Sequence, residues 1–307
     1  MTLVYKSAPG RGAVWARRFA AELPEIPFRQ WPDIGTPEAV RFLAVWEPPE
    51  DLTAFPNLEI LFSIGAGIDA IDLAALPHGV KVVRMIEPGL VAGMVEYVTC
   101  AVLALHRGLP AYLARQRAGH WKADRVPVAA SHQVGVMGAG VLGRAVLQAL
   151  APFGFPRAVW SRSRRQLAGV SCFAGRDELA AFLARCDILV CLLPLTSETR
   201  AILDAVAFVA LPRGAGLVNV GRGGHLVEAD LLGALDSGQV SAAILDVAVS
   251  EPPAPDHPFW SHPKVWLTPH VASDTQAESG ADAIIANLRR HLAGQRLHGL
   301  IDPALGY

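Results

Sequence analysis

The sequence predicts an α/β protein on three observations: short runs rich in Val, Ile and Leu, longer Ala/Leu/Arg segments of helical period between them, and a grouping of the runs into two separate series. That alternation is the pattern of parallel strands covered by helices on both faces. The first series is expected at residues 3–5, 28–30, 42–45, 60–64 and 82–84, with a helix over residues 13–22. The second is expected at residues 133–137, 158–160, 188–192, 216–220, 243–246 and 265–267. One long helical stretch over residues 91–118 separates them, and another over residues 275–293 follows the last strand. A closing helix in that place returns the chain to the first series, which makes the middle segment an insertion. The Pro-rich residues 251–258 read as an ordered loop over a site.

Composition sets the outer bounds. A chain of 307 residues with 52% hydrophobic and 18% charged side chains is too apolar for disorder and long enough for two ordinary domains. Its formal net charge of -1 argues against nucleic acid as a partner, because non-specific binding to phosphate backbones needs clustered excess Lys and Arg. The first residues lack an export signal. The most apolar stretch, residues 91–105, is interrupted by Glu96 and Thr99, so no membrane span is expected and the chain is assigned to the cytoplasm. Cys100, Cys172, Cys186 and Cys191 show neither CxxC spacing nor a disulfide pattern and read as buried, reduced thiols.

The segment VGVMGAGVLG, residues 134–143, sets a GxGxxG pattern between an apolar strand and a helical run. In such a turn Gly138 permits the tight bend, Gly140 lets backbone approach a pyrophosphate, and Gly143 lets helix pack on strand; amides at the helix start then face the phosphate charge. In NAD-binding versions an acidic residue about 20 positions on accepts hydrogen bonds from the ribose 2′-hydroxyl. Here the corresponding strand ends in Ser161, Arg162, Ser163, Arg164 and Arg165, without a carboxylate. Guanidinium forks and hydroxyls suit a 2′-phosphate, so NADP (as NADPH) is expected in preference to NAD.

Three polar residues follow predicted strands, where open α/β sheets place ligands: Arg222, Glu251 and His270. Hydride delivery to a keto carbon leaves negative charge on its oxygen, and the site then needs a proton donor and a cation. His270 can be the donor and Arg222 the cation, its fork also gripping a substrate carboxylate. Glu251 orients the imidazole and, as a nearby anion, favours the acid form. The other histidines (His78, His106, His120, His132, His225, His257, His262, His291 and His298) lack metal-ligand spacing and read as structural or surface groups, so no metal is expected.

Together with the glycine loop, the strings NVGRGGHLVEADLLGAL, LDVAVSEPP and HPFWSHPKVWLTPHVA resemble the D-isomer-specific 2-hydroxyacid dehydrogenase family over nearly the whole chain. AVWEPP, SIGAGID, WSRSRR, FAGRDELAAFL, LLPLTSETRAIL and the terminal Gly306–Tyr307 are most similar to its glyoxylate/hydroxypyruvate reductase A branch. The resemblance implies two doubly wound, flavodoxin- or Rossmann-like domains. A dinucleotide-binding domain (residues 98–272) would be inserted into a substrate domain (residues 1–97 and 273–307), in a protein that forms homodimers. It also implies that Arg222, Glu251 and His270 are catalytic, and that Ala66 and Gly67 offer backbone amides to a substrate carboxylate. Trp46 falls on an aromatic bordering the substrate, with a partly buried core aromatic as the alternative.

Implied cofactor contacts come from Val141, Leu142, Leu193, Pro194, Val220 and Asp246, of which Asp246 has the alternative of capping a strand end. The substrate class implied is a small 2-keto or 2-hydroxy acid. Close members of the branch carry Thr-Arg-Pro near Thr275, where this chain reads Thr275–Gln276, which leaves the preferred acid open. A non-catalytic dinucleotide sensor and a dehydrogenase for a larger 2-hydroxy acid stay as alternatives. A Gln in place of Glu251 would instead have marked the formate dehydrogenases.

Overall fold

In the computed structural model, which describes residues 1–303 and 305–306, the chain divides into two compact units. The first comprises Met1–Ala92 and Asp274–Tyr307, the second Gly93–Ser273. The terminal Tyr307 of the resemblance lies outside the described residues.

The first unit holds a five-stranded parallel sheet of β1 (Thr2–Lys6), β2 (Phe28–Gln30), β3 (Val40–Val45), β4 (Ile60–Ser63) and β5 (Lys81–Val83), in the order β2-β1-β3-β4-β5. This is the flavodoxin-like doubly wound order. Helix α1 (Pro9–Glu22) turns Trp15 and Phe19 inward, where Trp15 meets Tyr5 at 5.0 Å between ring centroids. Leu43, Val45, Leu61 and Val82 build a second apolar layer with Phe55 and Ile71.

The second unit opens with α2 (Pro88–His106), whose part from Met94 onward packs there, and α3 (Leu109–Arg117). Its strands are β6 (Val134–Met137), β7 (Arg157–Ser161), β8 (Ser171–Ala174), β9 (Ile188–Cys191), β10 (Ala215–Asn219), β11 (Val240–Leu245) and β12 (Val265–Leu267). They form a seven-stranded parallel sheet in the order β12-β11-β10-β9-β6-β7-β8. Winding reverses between β6 and β9, the switch point at which such sheets take ligands. Alternate side chains go to opposite faces. Met137, Leu189, Leu217 and Leu245 join Phe182, Phe208 and Leu231 of α5 (Leu179–Leu183), α6 (Ala205–Ala210) and α7 (Glu228–Asp236). Val136, Val190, Val218 and Ile244 join Val98 and Val102 of α2 and Val146 of α4 (Val141–Ala149). Helix α8 (Ala277–Leu292) belongs to the first unit.

Three expectations change. The stretch over 91–118 is two helices, because Gly108 takes a left-handed backbone (φ +67°) that an α-helix does not accommodate. Strand β8 went unpredicted: it is a four-residue edge strand whose half-exposed residues carry no apolar run. Only Cys186 and Cys191 are buried; Cys172 is half-buried and Cys100 is exposed, on α2 away from the core positions Met94, Val98 and Ala101. At 19 residues and a mean hydropathy of 1.7, α2 has the length and apolarity of a membrane span, but its exposed Glu96 and the packing of Val98 and Val102 under the sheet mark it as a core helix.

Candidate active site

The turn after β6 is built around its glycines. Gly138 sits at φ +115° and donates to the carbonyl of Trp160 at 2.8 Å, and a Cβ on Gly143 would stand 1.9 Å from the Gly138 carbonyl oxygen. Substitution at either is therefore closed off by main chain. Gly140 is the opposite case: a Cβ there would meet no atom within 4 Å, so the loop surface is open where the α4 amides begin. Val141 and Leu142 are half-buried at that helix start.

At the end of β7, Ser161 donates to the Ser163 carbonyl at 2.8 Å, and Arg162, Ser163, Arg164 and Arg165 are exposed. The structure adds a carboxylate that the local sequence does not contain. Glu178 pairs with Arg164 and accepts from the Ala174 amide at 2.7 Å; that amide bond, with Arg164, holds its carboxyl below the usual range. The basic turn is thus anchored from β8 and its following turn.

Arg222, Glu251 and His270 follow the adjacent strands β10, β11 and β12 and share a closed set of contacts. His270 Nδ1 lies 2.8 Å from Glu251 Oε2, while Glu251 Oε1 accepts from the Ala248 amide at 3.2 Å. The Ala248 carbonyl would lie 1.9 Å from a Cβ on Gly223, so the turn carrying Arg222 rests directly on the loop carrying Glu251. In return, the His270 amide donates to the Asp246 carbonyl at 2.8 Å, Asp246 N–H to the Asn219 carbonyl at 3.0 Å, and Asn219 Nδ2 to the Arg222 carbonyl at 3.1 Å. With Nδ1 facing Glu251, Nε2 is the second ring nitrogen, and an imidazole can exchange a proton there.

His270 itself is left-handed (φ +53°), a conformation that costs a non-Gly residue about 1–2 kcal/mol and persists only where neighbours impose it. Asp246 imposes it. Its Oδ1 accepts from Thr268 Oγ1 at 2.6 Å and the Val271 amide at 2.8 Å, its Oδ2 from the Ala272 amide at 2.8 Å, and its side chain is buried. Tyr97 on α2 completes the clamp, 2.6 Å from Thr268 Oγ1. Burial, with the Asp246 charge adding to it, pushes the Tyr97 phenol up to about 12, which keeps it a donor. Asp246 therefore organises the His270 loop with both carboxylate oxygens. Leu193 and Val220 are buried in the two core layers, whereas Pro194 is half-buried.

In the first unit, the loop after β4 is shaped by Ser63, whose Oγ donates to the Gly67 carbonyl at 2.8 Å and accepts from the Gly65 amide at 3.2 Å. Thr275 Oγ1 holds the Ile64 carbonyl at 2.5 Å and the Met85 amide holds that of Gly65 at 3.0 Å. Ala66 and Gly67 lie half-buried on the loop held in this way. Trp46, 44% exposed, lies over Gly65, where a Cβ would meet its ring at 2.7 Å. It is a surface aromatic, not a core one.

Residues 99–272 match the family model of the D-isomer specific 2-hydroxyacid dehydrogenase NAD-binding domain, and the chain is 39% identical over 300 residues to glyoxylate/hydroxypyruvate reductase A of Yersinia enterocolitica, covering 95% of this chain and 96% of that one. The chain belongs to the D-isomer specific 2-hydroxyacid dehydrogenase family. Among solved structures, a family member from Xanthobacter autotrophicus Py2 in complex with NADPH matches with a TM-score of 0.94 at 39% identity, over 100% of this chain and 99% of the other. The NADPH-dependent glyoxylate/hydroxypyruvate reductase of Sinorhizobium meliloti, in complex with NADP and sulfate, matches with a TM-score of 0.91 at 35% identity over the same shares.

For an enzyme of this family, the second unit fits a dinucleotide at the open Gly140 surface and the α4 amides. The sequence assigned no role to Tyr97, Thr268, Ser63 and Thr275, which hold these loops in shape within their units, whereas His225 already read as a structural or surface group. Thr268 directly precedes the Pro269–His270 pair and offered a local signal. Tyr97, 171 residues from its partner, offered none.

Proposed function

We propose that the chain is an NADPH-preferring reductase of small 2-keto acids such as glyoxylate and hydroxypyruvate, giving the 2-hydroxy acids. The observation that carries this reading is the His270–Glu251 pair at 2.8 Å, on a backbone clamped left-handed, with the Arg222 turn seated on the same loop. A bound reduced nicotinamide supplies the hydride. His270 gives its Nε2 proton to the carbonyl oxygen as the carbon is reduced, Glu251 balances the imidazolium, and Arg222 holds the carboxylate. Afterwards His270 regains a proton from solvent.

The basic turn at Ser161, Arg162, Ser163 and Arg164 favours the 2′-phosphate of NADPH. Val141, Leu142 and Pro194 line the dinucleotide, and Val220 and Leu193 back it from the core. The first unit is assigned to substrate through Trp46 and the Ala66 and Gly67 amides, which suit a carboxylate. The names of the Yersinia and Sinorhizobium relatives support this substrate class and cofactor.

We place the protein in the cytoplasm as a homodimer without nucleic-acid partners. What supports self-association is the exposure of Trp121 (104%) and Val128 (72%) in the segment beyond α3, and a separate open groove lined by Pro110, Leu113, Trp260 and Trp266. The test of the reading is loss of NADPH absorbance on adding glyoxylate, hydroxypyruvate, pyruvate or phenylpyruvate, repeated with NADH. Turnover favouring NADPH is expected. Cofactor binding without turnover of any 2-keto acid would overturn the enzyme reading, and equal kcat/KM with both cofactors would overturn the NADPH preference.

A further inference from the structure

His225 is the fully buried imidazole of the second unit, and the chemistry proposed above leaves it unused. It lies three residues past Arg222, in the short turn that follows β10. Its Nδ1 accepts from the Arg222 backbone N–H at 3.0 Å, and its own N–H donates to the Arg222 carbonyl at 3.2 Å, so the ring and its main chain close the turn from both sides. The second ring nitrogen, Nε2, is 3.2 Å from the carbonyl of Pro194 in the loop after β9. That carbonyl also accepts from Thr199 Oγ1 at 2.7 Å.

These partners fix the protonation state by geometry. A nitrogen facing an N–H must be a bare acceptor and one facing a carbonyl must carry the proton, so the ring is neutral with its hydrogen on Nε2. The ring also stands 2.9 Å from where a Cβ on Gly221 would lie, so it is seated against the backbone just before Arg222.

We propose that His225 is a positioning residue for Arg222: as a neutral, Nε2-protonated imidazole it locks the turn that aims the guanidinium and ties that turn to the Pro194 loop. The proposal rests on Arg222 holding the substrate carboxylate. It requires an acceptor at the Nδ1 place, not an imidazole as such, and this separates it from simple packing. Asn puts an amide oxygen near that place, whereas Leu fills the volume with no acceptor.

The experiment compares H225L, H225N and R222A with the parent enzyme, by steady-state kinetics with glyoxylate and NADPH after melting curves have confirmed folding. H225L is expected to raise the KM for glyoxylate about tenfold with a smaller change in kcat, the size of one buried hydrogen bond, and H225N to restore it to within about threefold. In the R222A background H225L should add nothing further, because its effect passes through the guanidinium. Equal damage from Leu and Asn, or additive damage with R222A, would overturn the proposal.

Nitrogen NMR of the ¹⁵N-histidine-labelled protein decides the same point without turnover. A bare Nδ1 with a protonated Nε2 is expected at neutral pH. A doubly protonated ring, or the opposite tautomer, overturns it. Should the parent reduce no 2-keto acid, the functional reading fails, and the NMR result still decides the state of His225.

Discussion

The loop after β4 in the first unit is proposed to offer a ligand only main chain, at Ala66 and Gly67, while the loops after β10, β11 and β12 in the second are proposed to offer the side chains of Arg222, Glu251 and His270. Their supports differ accordingly. Ser63, Met85 and Thr275 hold carbonyls of the first loop, so its shape is set by a few neutral hydrogen bonds. The second set is braced by buried polar side chains, with Asp246 taking three donors and His225 bridging two loops. An amide recognises an anion in any orientation that points it correctly. The proton transfer proposed for His270 needs one nitrogen at one place, a tighter demand that fits the more buried polar structure around it.

The comparison is tested hardest by removing the proton donor. His270→Ala is expected to lower kcat by about 10²–10⁴ while leaving NADPH affinity within a few-fold, measured by steady-state kinetics and cofactor fluorescence titration. A variant reducing glyoxylate at the parental rate would remove His270 from that role.

Next in size is the clamp behind it. Thr268→Val breaks the link between Tyr97 and Asp246 and should cost about tenfold in kcat, with Thr268→Ser recovering most of it. If Val and Ser behave alike, the hydroxyl is not what holds the His270 loop.

For the backbone-only loop a smaller and different signature is expected. Ser63→Ala should raise the KM for glyoxylate about threefold to fivefold, the size of one neutral hydrogen bond, and leave kcat unchanged. A loss in kcat instead would mean that the two loops do not divide the work in this way.

The smallest effect concerns stability away from either loop. His106 packs against Phe155 and lies 3.1 Å from His132, and burial, then His132 and Arg107, hold its pKa below the ordinary value. The unfolded chain therefore binds the extra proton first, and stability falls as pH drops below about 6.5 toward the lower folded value. In His106→Phe, melting temperature should decline less steeply across that window. An unchanged slope would assign the acid sensitivity elsewhere.

Local pattern was enough for most of the architecture. Buried parallel strands such as Val134–Met137 and Ile188–Cys191 are apolar runs that need no partner to be recognised. The glycine loop was legible because each of its steric demands falls within one strand–turn–helix segment. The edge strand Ser171–Ala174 and the helix break at Gly108 escaped, since an edge buries too little to leave an apolar run and one glycine within an apolar helix is ambiguous.

By itself, then, the sequence determined the two parallel sheets, the dinucleotide turn and the identities of the three groups proposed for chemistry. Tertiary structure decided how those groups and the basic turn after β7 are held. Tyr97 meets Thr268 across 171 residues, Glu178 reaches Arg164, and His225 touches both Arg222 and Pro194. Periodicity reports which face of an element is buried, whereas a hydrogen bond between distant loops depends on strand order in the sheet, which no local pattern encodes.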